Sequence, residues 1–146
     1  MYRLRRLHYK RLQCHCNSTL VRLDHFVLTV ADIKRSIHFY TEFLGMKHVS
    51  FGEPNNPRHA LKFGDIKINL HQSGKEFEPK ALYPTPGSAD LCFIINQKLS
   101  HVQNQFEIMD IPIEEGPVAR TGASGKITSI YVRDPDFNLI ELSNYD

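Results

Sequence analysis

The sequence has no tryptophan and only three cysteines among its 146 residues. A small, odd number of cysteines does not fit a disulfide framework, so a reducing, intracellular environment is expected. Cys92 lies in an apolar strand pattern and is expected to be buried. No apolar run approaches the roughly 20 residues that cross a bilayer, which excludes a membrane span. With 41% hydrophobic and 23% charged residues, the composition indicates one soluble globular domain.

Acidic residues are absent from the first 20 residues, which carry five of the 18 Lys and Arg residues. The rest of the chain therefore holds 13 basic against 16 acidic residues, a net charge of −3. Such a body offers no basic surface for phosphate neutralisation, so nucleic acid is not expected as a partner. Residues 1–20 are predicted to be a basic, disordered arm. A mitochondrial transit peptide is the alternative, and a cytoplasmic location is preferred.

The pattern of residues 21–72 is repeated over residues 88–146. Each copy predicts a strand, an amphipathic helix and three further strands, which is an α+β fold of tandem βαβββ modules. Residues 73–87 are rich in Gly and Pro and predict an extended linker. The predicted strands are 22–30, 47–52, 58–63, 66–72, 90–95, 111–118, 127–133 and 138–143, and the predicted helices are 33–44 and 99–109.

The repeat also aligns polar residues on strand faces. A shift of 65 positions places His25 on Asp90, and a shift of 70 places His71 on Glu141. Two imidazoles and two carboxylates suit one divalent ion of Zn, Ni, Fe, Mn or Co, with coordination positions left for water or substrate. The four residues are therefore candidate metal ligands. The alternative for each histidine is a hydrogen-bonded strand residue, and for each carboxylate an ordinary surface group.

Further polar residues flank the candidate ligands on the same strand faces. Tyr131 and Ser129, beside Glu141, and Asn69, beside His71, are candidates for orienting substrate oxygens, with ordinary strand polarity as the alternative.

A glycine-containing segment, residues 121–125, lies between Arg120 and Lys126. It predicts a flexible loop that can act as a lid, with the two flanking cations receiving an anionic group. A solvated loop without a function is the alternative.

Three motifs carry a family resemblance: LDHFVLTV at the first strand, FYTEFLGM at the end of the first helix, and DPDFNLIEL near the end of the chain. In this order they resemble the vicinal oxygen chelate superfamily, the glyoxalase I fold, over about residues 22–145. The resemblance implies a cupped mixed sheet around a metal cleft, with helices outside. Phe137 replaces the family's usual glycine in the DPDG turn. By resemblance the metal ligands are His25, His71, Asp90 and Glu141.

The resemblance also implies a metal-dependent enzyme acting on a small substrate with vicinal oxygens. In a glyoxalase-like reaction Glu141 abstracts a proton alpha to a carbonyl, and the ion stabilises an enediolate or oxyanion as a Lewis acid. Tyr131 is a second catalytic candidate, because its strand resembles that of epoxide-opening family members. A homodimer is expected by analogy. The alternative is a non-catalytic module of the same fold that binds a small ligand or a protein.

Overall fold

The computed structural model describes residues 19–146. The predicted arm at residues 1–20 therefore lies almost entirely outside the described residues. The ten elements are β1 (His25–Val30), α1 (Ile33–Glu42), β2 (Lys47–Glu53), β3 (Asn56–Phe63), β4 (Ile66–Gln72), β5 (Asp90–Ile94), α2 (Leu99–Ile108), β6 (Glu115–Gly122), β7 (Gly125–Arg133) and β8 (Leu139–Tyr145).

The strands form two four-stranded mixed sheets with the orders β1-β4-β3-β2 and β5-β8-β7-β6. The first and last strands of each module pair in parallel, and the other neighbours pair antiparallel. This topology confirms the predicted α+β fold of tandem βαβββ modules. In the described range, no helix is both long enough and apolar enough to span a membrane.

The first helix follows the predicted pattern closely. Asp32 caps it, because its side chain accepts a hydrogen bond from the backbone N–H of Arg35 at 3.0 Å. Phe39 and Tyr40 lie on its buried face. Gly45, just beyond the helix, has φ +67°, a conformation that glycine adopts without strain.

The predicted lid at residues 121–125 is wrong. Strand β6 extends to Gly122 and β7 begins at Gly125, so only two residues connect the strands. A Cβ atom on Gly122 would lie 2.9 Å from the Cγ2 atom of Ile127 and 3.1 Å from the Tyr145 hydroxyl, so this close packing requires glycine. The segment is a tight hairpin rather than a flexible loop.

The DPDF turn between β7 and β8 keeps a left-handed residue without the family's glycine. Phe137 has φ +67°, and its backbone N–H bonds to the Asp134 carbonyl at 3.0 Å. The Asp134 carboxylate accepts from the backbone N–H groups of Asp136 and Asn138, both at 2.9 Å. The aspartate thus holds the turn shape that glycine otherwise allows.

Both helices and one face of each sheet share a single core. Its fully or nearly buried members come from both modules, and they are Leu28, Val30, Phe39, Tyr40, Met46, Leu61, Ile68, Leu70, Leu99, Val102, Phe106, Ile130, Val132, Ile140 and Leu142. A buried hydrogen bond of 2.9 Å from the Tyr40 hydroxyl to the Asp134 carboxylate links the modules. The two sheets therefore turn their opposite faces away from this shared core.

We call these outward surfaces the first and second open faces. The first open face carries His25, Val27, Thr29, Arg58, Ala60, Lys62, Lys67, Asn69 and His71. The second open face carries Asp90, Cys92, Ile94, Ser129, Tyr131, Arg133, Leu139, Glu141 and Ser143. Cys92 is exposed there rather than buried, because its strand turns Leu91 and Phe93 to the core instead.

Candidate functional site

The four predicted metal ligands divide between the two open faces. His25 and His71 lie on the first, and Asp90 and Glu141 lie on the second. Among residues 19–146, no three His, Cys, Asp or Glu side chains gather closely enough to hold a metal ion. Because the open faces point away from one shared core, a single chain does not bring the four predicted ligands together.

The sheet registers identify equivalent positions in the two modules. Val27 pairs with Asn69 across β1 and β4, and Cys92 pairs with Glu141 across β5 and β8. His25 precedes Val27 by two residues, as Asp90 precedes Cys92. The registers therefore place Asn69, at a shift of 72, in the position equivalent to Glu141.

His71 lies one pleat beyond that position. It pairs with Thr29, while His25 pairs with Lys67, so the two histidines are separated by four residues along β4. The 70-residue shift used in the sequence comparison does not follow the sheet registers. A sequence signal for Asn69 was present, since Ile68-Asn69-Leu70 and Ile140-Glu141-Leu142 share the pattern Ile-X-Leu.

Glu141 is held by two buried hydroxyl groups. Its Oε1 atom accepts from the Ser129 hydroxyl at 2.5 Å and from the Ser143 hydroxyl at 3.4 Å. The two serine oxygens are 2.8 Å apart, and both residues are fully buried. Such hydrogen bonds fix the orientation of a carboxylate, as the outer-shell partners of metal ligands do.

Tyr131 lies beside Glu141 on the neighbouring strand. Its hydroxyl accepts from Arg120 Nε at 3.0 Å, and Arg120 Nη2 in turn donates to Glu115 Oε1 at 2.7 Å. Burial raises the pKa of Tyr131, the Glu141 carboxylate adds to this, and Arg120 opposes it. The phenol therefore stays protonated near neutral pH and can donate its hydrogen to an oxygen in the cleft.

Glu141, Tyr131 and Arg120 line a cleft of about 450 Å³ on the second open face. Three carboxylates that line the cleft, those of Asp90, Glu114 and Glu115, accompany Glu141, while Arg120 is already paired with Glu115. Arg120, predicted to receive an anionic group, is therefore already bound to a carboxylate. Glu114 is likewise paired with Arg133, so Asp90 and Glu141 are the cleft carboxylates without an ion pair among the described residues, and they suit a cation.

Cys92 lies between the candidate ligands on this face. Its Sγ atom is 3.5 Å from the Ser143 hydroxyl. Desolvation raises the pKa of the thiol, as do the carboxylates of Glu141 and Asp90, against the hydrogen bond to Ser143. The thiol is therefore protonated at pH 7 in the metal-free protein.

On the first open face, His25 is oriented by the carboxylate of the preceding residue, Asp24. Its Nδ1 atom is 2.7 Å from Asp24 Oδ1, and this hydrogen bond is the main cause that lowers the pKa of Asp24. A proton on Nδ1 leaves Nε2 as an acceptor. This carboxylate–imidazole pair is the arrangement that orients many metal-binding histidines.

Asn69 carries an unsatisfied buried atom. Among the described residues 19–146, its Oδ1 is the one buried side-chain oxygen or nitrogen without a hydrogen-bond partner. Leaving such a group unpaired costs about 1–3 kcal/mol. The oxygen lies at the position equivalent to that of Glu141 in the other module, and buried polar atoms normally have a partner.

His71 is nearly buried, with 9% exposure, beneath the segment that follows β4. The Phe77 ring packs on it edge to face, with 5.6 Å between ring centroids. Burial lowers the pKa of His71, and the positive charge of Arg58 lowers it further. The imidazole is therefore neutral at pH 7.

The sequence matches a known family over most of its length. Residues 22–142 match the Glyoxalase/Bleomycin resistance protein/Dioxygenase superfamily. Among curated proteins, the chain is 58% identical over 123 residues to "Glyoxalase domain-containing protein RDO1" of Mycosarcoma maydis, covering 84% of this chain and 68% of that protein. It is 57% identical over 124 residues to "Virulence protein STM3117" of Salmonella typhimurium, covering 85% and 84%.

Solved structures show the same fold. The crystal structure of the Salmonella typhimurium virulence protein superposes with a TM-score of 0.84 at 56% identity, covering 88% of this chain and all of that one. A lactoylglutathione lyase from Agrobacterium tumefaciens superposes with a TM-score of 0.65 at 21% identity, covering 87% and 96%. The latter likeness concerns the fold alone.

Proposed function

The chain belongs to the Glyoxalase/Bleomycin resistance protein/Dioxygenase superfamily, and we propose that it is a divalent-metal-dependent enzyme whose site is completed by a second copy of the chain. The observation that carries this proposal is the division of the candidate ligands between two open faces that point away from one core. A partner subunit that covers each open face brings the second half-site onto the first. Two-fold symmetry then creates two identical sites.

The open faces have the properties of an interface. Val27, with 47% exposure, and Ile94, with 52%, leave apolar surface uncovered. The first open face carries Arg58, Lys62 and Lys67 on β3 and β4, against one carboxylate, Glu53, at the end of β2. The second contributes the acidic cleft, so the two surfaces are complementary in charge.

The side chains fit a borderline divalent ion. His25 of one chain would hold it together with Asp90 and Glu141 of the partner subunit, and the fourth ligand is Asn69 or His71. The register and the unpartnered Oδ1 favour Asn69. Imidazole and oxygen ligands suit Zn, Ni, Fe, Mn or Co. An ion bound there would act as a Lewis acid on two neighbouring substrate oxygens.

The remaining chemistry belongs to the chain itself. Ser129 and Ser143 hold one oxygen of Glu141 and so orient its carboxylate to take a proton from the carbon next to a substrate carbonyl. Tyr131 donates a hydrogen bond to the oxygen on which negative charge develops. Arg120 donates a hydrogen bond to the phenol oxygen, which orients the phenol, and its positive charge helps to stabilise the developing negative charge. The substrate class is a small molecule with vicinal oxygens.

The direct test is the metal content of untagged, dialysed protein together with its mass in solution. We expect a dimer with about one ion per chain. The variant Asn69→Ala should lose the ion while His71→Ala keeps it; the reverse result would assign the fourth position to His71. A monomer, or a protein without metal after reconstitution with all five ions, would contradict the proposal and favour a ligand-binding module.

A further inference from the structure

We propose that Thr29, Arg58 and His71 form a binding corner for an anionic group of the substrate, a carboxylate or a phosphate. This inference rests on the proposed function, because it assigns the substrate class of that site. It gives His71 a role other than metal binding. The three residues lie on the first open face, one pleat from Asn69.

The corner is assembled by strand register. Thr29 pairs with His71 across β1 and β4. Arg58 directly precedes His59, which pairs with Leu70, so Arg58 lies beside His71 on β3. The guanidinium carbon of Arg58 is 4.5 Å from the centroid of the Phe77 ring, which also packs on His71. Phe77 thus holds the cation and the imidazole together.

The polar groups of this corner lack partners. Thr29 is 7% exposed and His71 is 9% exposed. Within residues 19–146, neither side chain forms a hydrogen bond, and Arg58 forms neither a hydrogen bond nor an ion pair. By contrast, Arg120 and Arg133 on the second module are each paired with a glutamate. The polar atoms of Thr29 and His71 are accessible to a ligand, since Asn69 Oδ1 is the one fully buried side-chain polar atom without a partner among residues 19–146.

The charges around the corner favour an anion, because Arg58 has no ion pair and the nearby Glu76 carboxylate is already paired with Lys80 at 3.0 Å. A guanidinium presents a fork of N–H donors that matches carboxylate and phosphate oxygens. The Thr29 hydroxyl and one ring N–H of His71 are further donors. A fixed positive charge is a poor neighbour for a divalent cation, which agrees with Asn69 rather than His71 as the metal-binding position.

The spacing relates the anionic group to the reacting oxygens. His71 is two residues from Asn69 along β4, a separation of roughly 7 Å between equivalent atoms. The substrate is therefore a small molecule in which a short chain joins vicinal oxygens to a carboxylate or phosphate. Arg58 takes the role that the sequence assigned to Arg120.

The experiment uses the metal-free, full-length protein and inorganic phosphate as the probe. Backbone amide resonances near Thr29 and His71 report binding by nuclear magnetic resonance. We expect saturable shifts in the wild type and an affinity at least about tenfold weaker in Arg58→Gln, as the loss of a charge-assisted hydrogen bond implies. Arg58→Lys should be intermediate. Thermal unfolding checks that each variant is folded.

The matched control is Lys62→Gln, which removes one positive charge from the same face of the same strand. Its phosphate affinity should change by less than about twofold, because screening weakens the effect of a surface charge that lies far from the bound anion. An equal loss in Lys62→Gln and Arg58→Gln would overturn the proposal, as would the absence of saturable shifts in the wild type. Because no metal is present, this result is independent of whether the metal site exists.

Discussion

The two open faces are built on one plan but differ in how their polar groups are satisfied. On the second face, Glu141 is held by Ser129, and Tyr131 is held by Arg120. On the first face, Asn69 Oδ1 is buried without a partner, and Arg58 has only an aromatic ring beneath it. The polar side chains compared on the second face are therefore held by neighbours, whereas Asn69 Oδ1 and Arg58 on the first face have no hydrogen-bond partner among residues 19–146.

The largest effect is expected on metal affinity, when a hydrogen bond to Glu141 on the second open face is removed. Ser129→Ala removes the 2.5 Å hydrogen bond that orients Glu141. Outer-shell substitutions of this kind typically reduce metal affinity by about 10–100-fold, and we expect a loss in this range. Competition with a chelator measures it. Thr128→Ala, on the same strand, is the control, and an unchanged affinity in Ser129→Ala would show that this hydrogen bond does not organise the site.

A substitution at Asn69, on the first open face, should increase the stability of the metal-free protein. Asn69→Leu replaces an unpaired buried amide with an apolar side chain of similar size, so metal-free protein should become more stable by about 1 kcal/mol. Denaturant unfolding measures the difference. A destabilised Asn69→Leu variant would mean that the amide is already satisfied in the metal-free protein.

The outer partner of His25 should matter less than that of Glu141. Asp24 hydrogen-bonds His25 at 2.7 Å but is largely exposed, so water can replace much of its effect. We expect Asp24→Asn to weaken metal binding only a few-fold, below the roughly tenfold minimum for a buried outer-shell partner. A loss as large as that of Ser129→Ala would remove the proposed difference between the faces.

The smallest effect concerns pH. The pKa of His71 is lowered in the folded state, mainly by burial, so folding favours the neutral ring. The unfolded chain therefore binds more protons between the lowered pKa and the ordinary value near 6.5, and stability falls as the pH decreases through this window. His71→Gln should weaken the pH dependence of the free energy of unfolding in this window, measured on metal-free protein. The pKa of His59 is lowered too, so His59→Gln is the comparison variant.

Local patterns in the sequence were sufficient for much of the fold. Alternation defined β1 and β4, and Asp32 with Gly45 delimited α1. The sequence predicts strands over 111–118 and 127–133, whereas β6 and β7 extend to Gly122 and from Gly125, because residues 121–125 contain turn formers and the strand pairing that incorporates them is not local. In the structure, Gly122 packs closely against Ile127 and Tyr145 at the end of β6, and this contact is not visible in the local sequence.

The candidate site was only partly accessible to sequence reasoning. His25 and Asp90 occupy matching strand positions in the two modules, as the sequence predicts, whereas the residue that matches Glu141 is Asn69 rather than His71. The sequence predicts Asn69 as a residue that orients substrate, and its equivalence to Glu141 follows only from the pairing of residues across the sheet. The sequence predicts that Arg120 and Lys126 receive an anionic group, and it does not show that Glu115 and Tyr131 already contact the Arg120 guanidinium.

The central claim is that each site combines the open faces of two chains, and a mixed dimer tests it most directly. Co-expression of a His25→Ala chain and a Glu141→Ala chain under two affinity tags, removed after purification, yields a heterodimer. Shared sites predict that this heterodimer binds one ion per dimer, because one site keeps both residues, while each parent homodimer binds none. A heterodimer that binds no metal would place each site within a single chain and contradict the account.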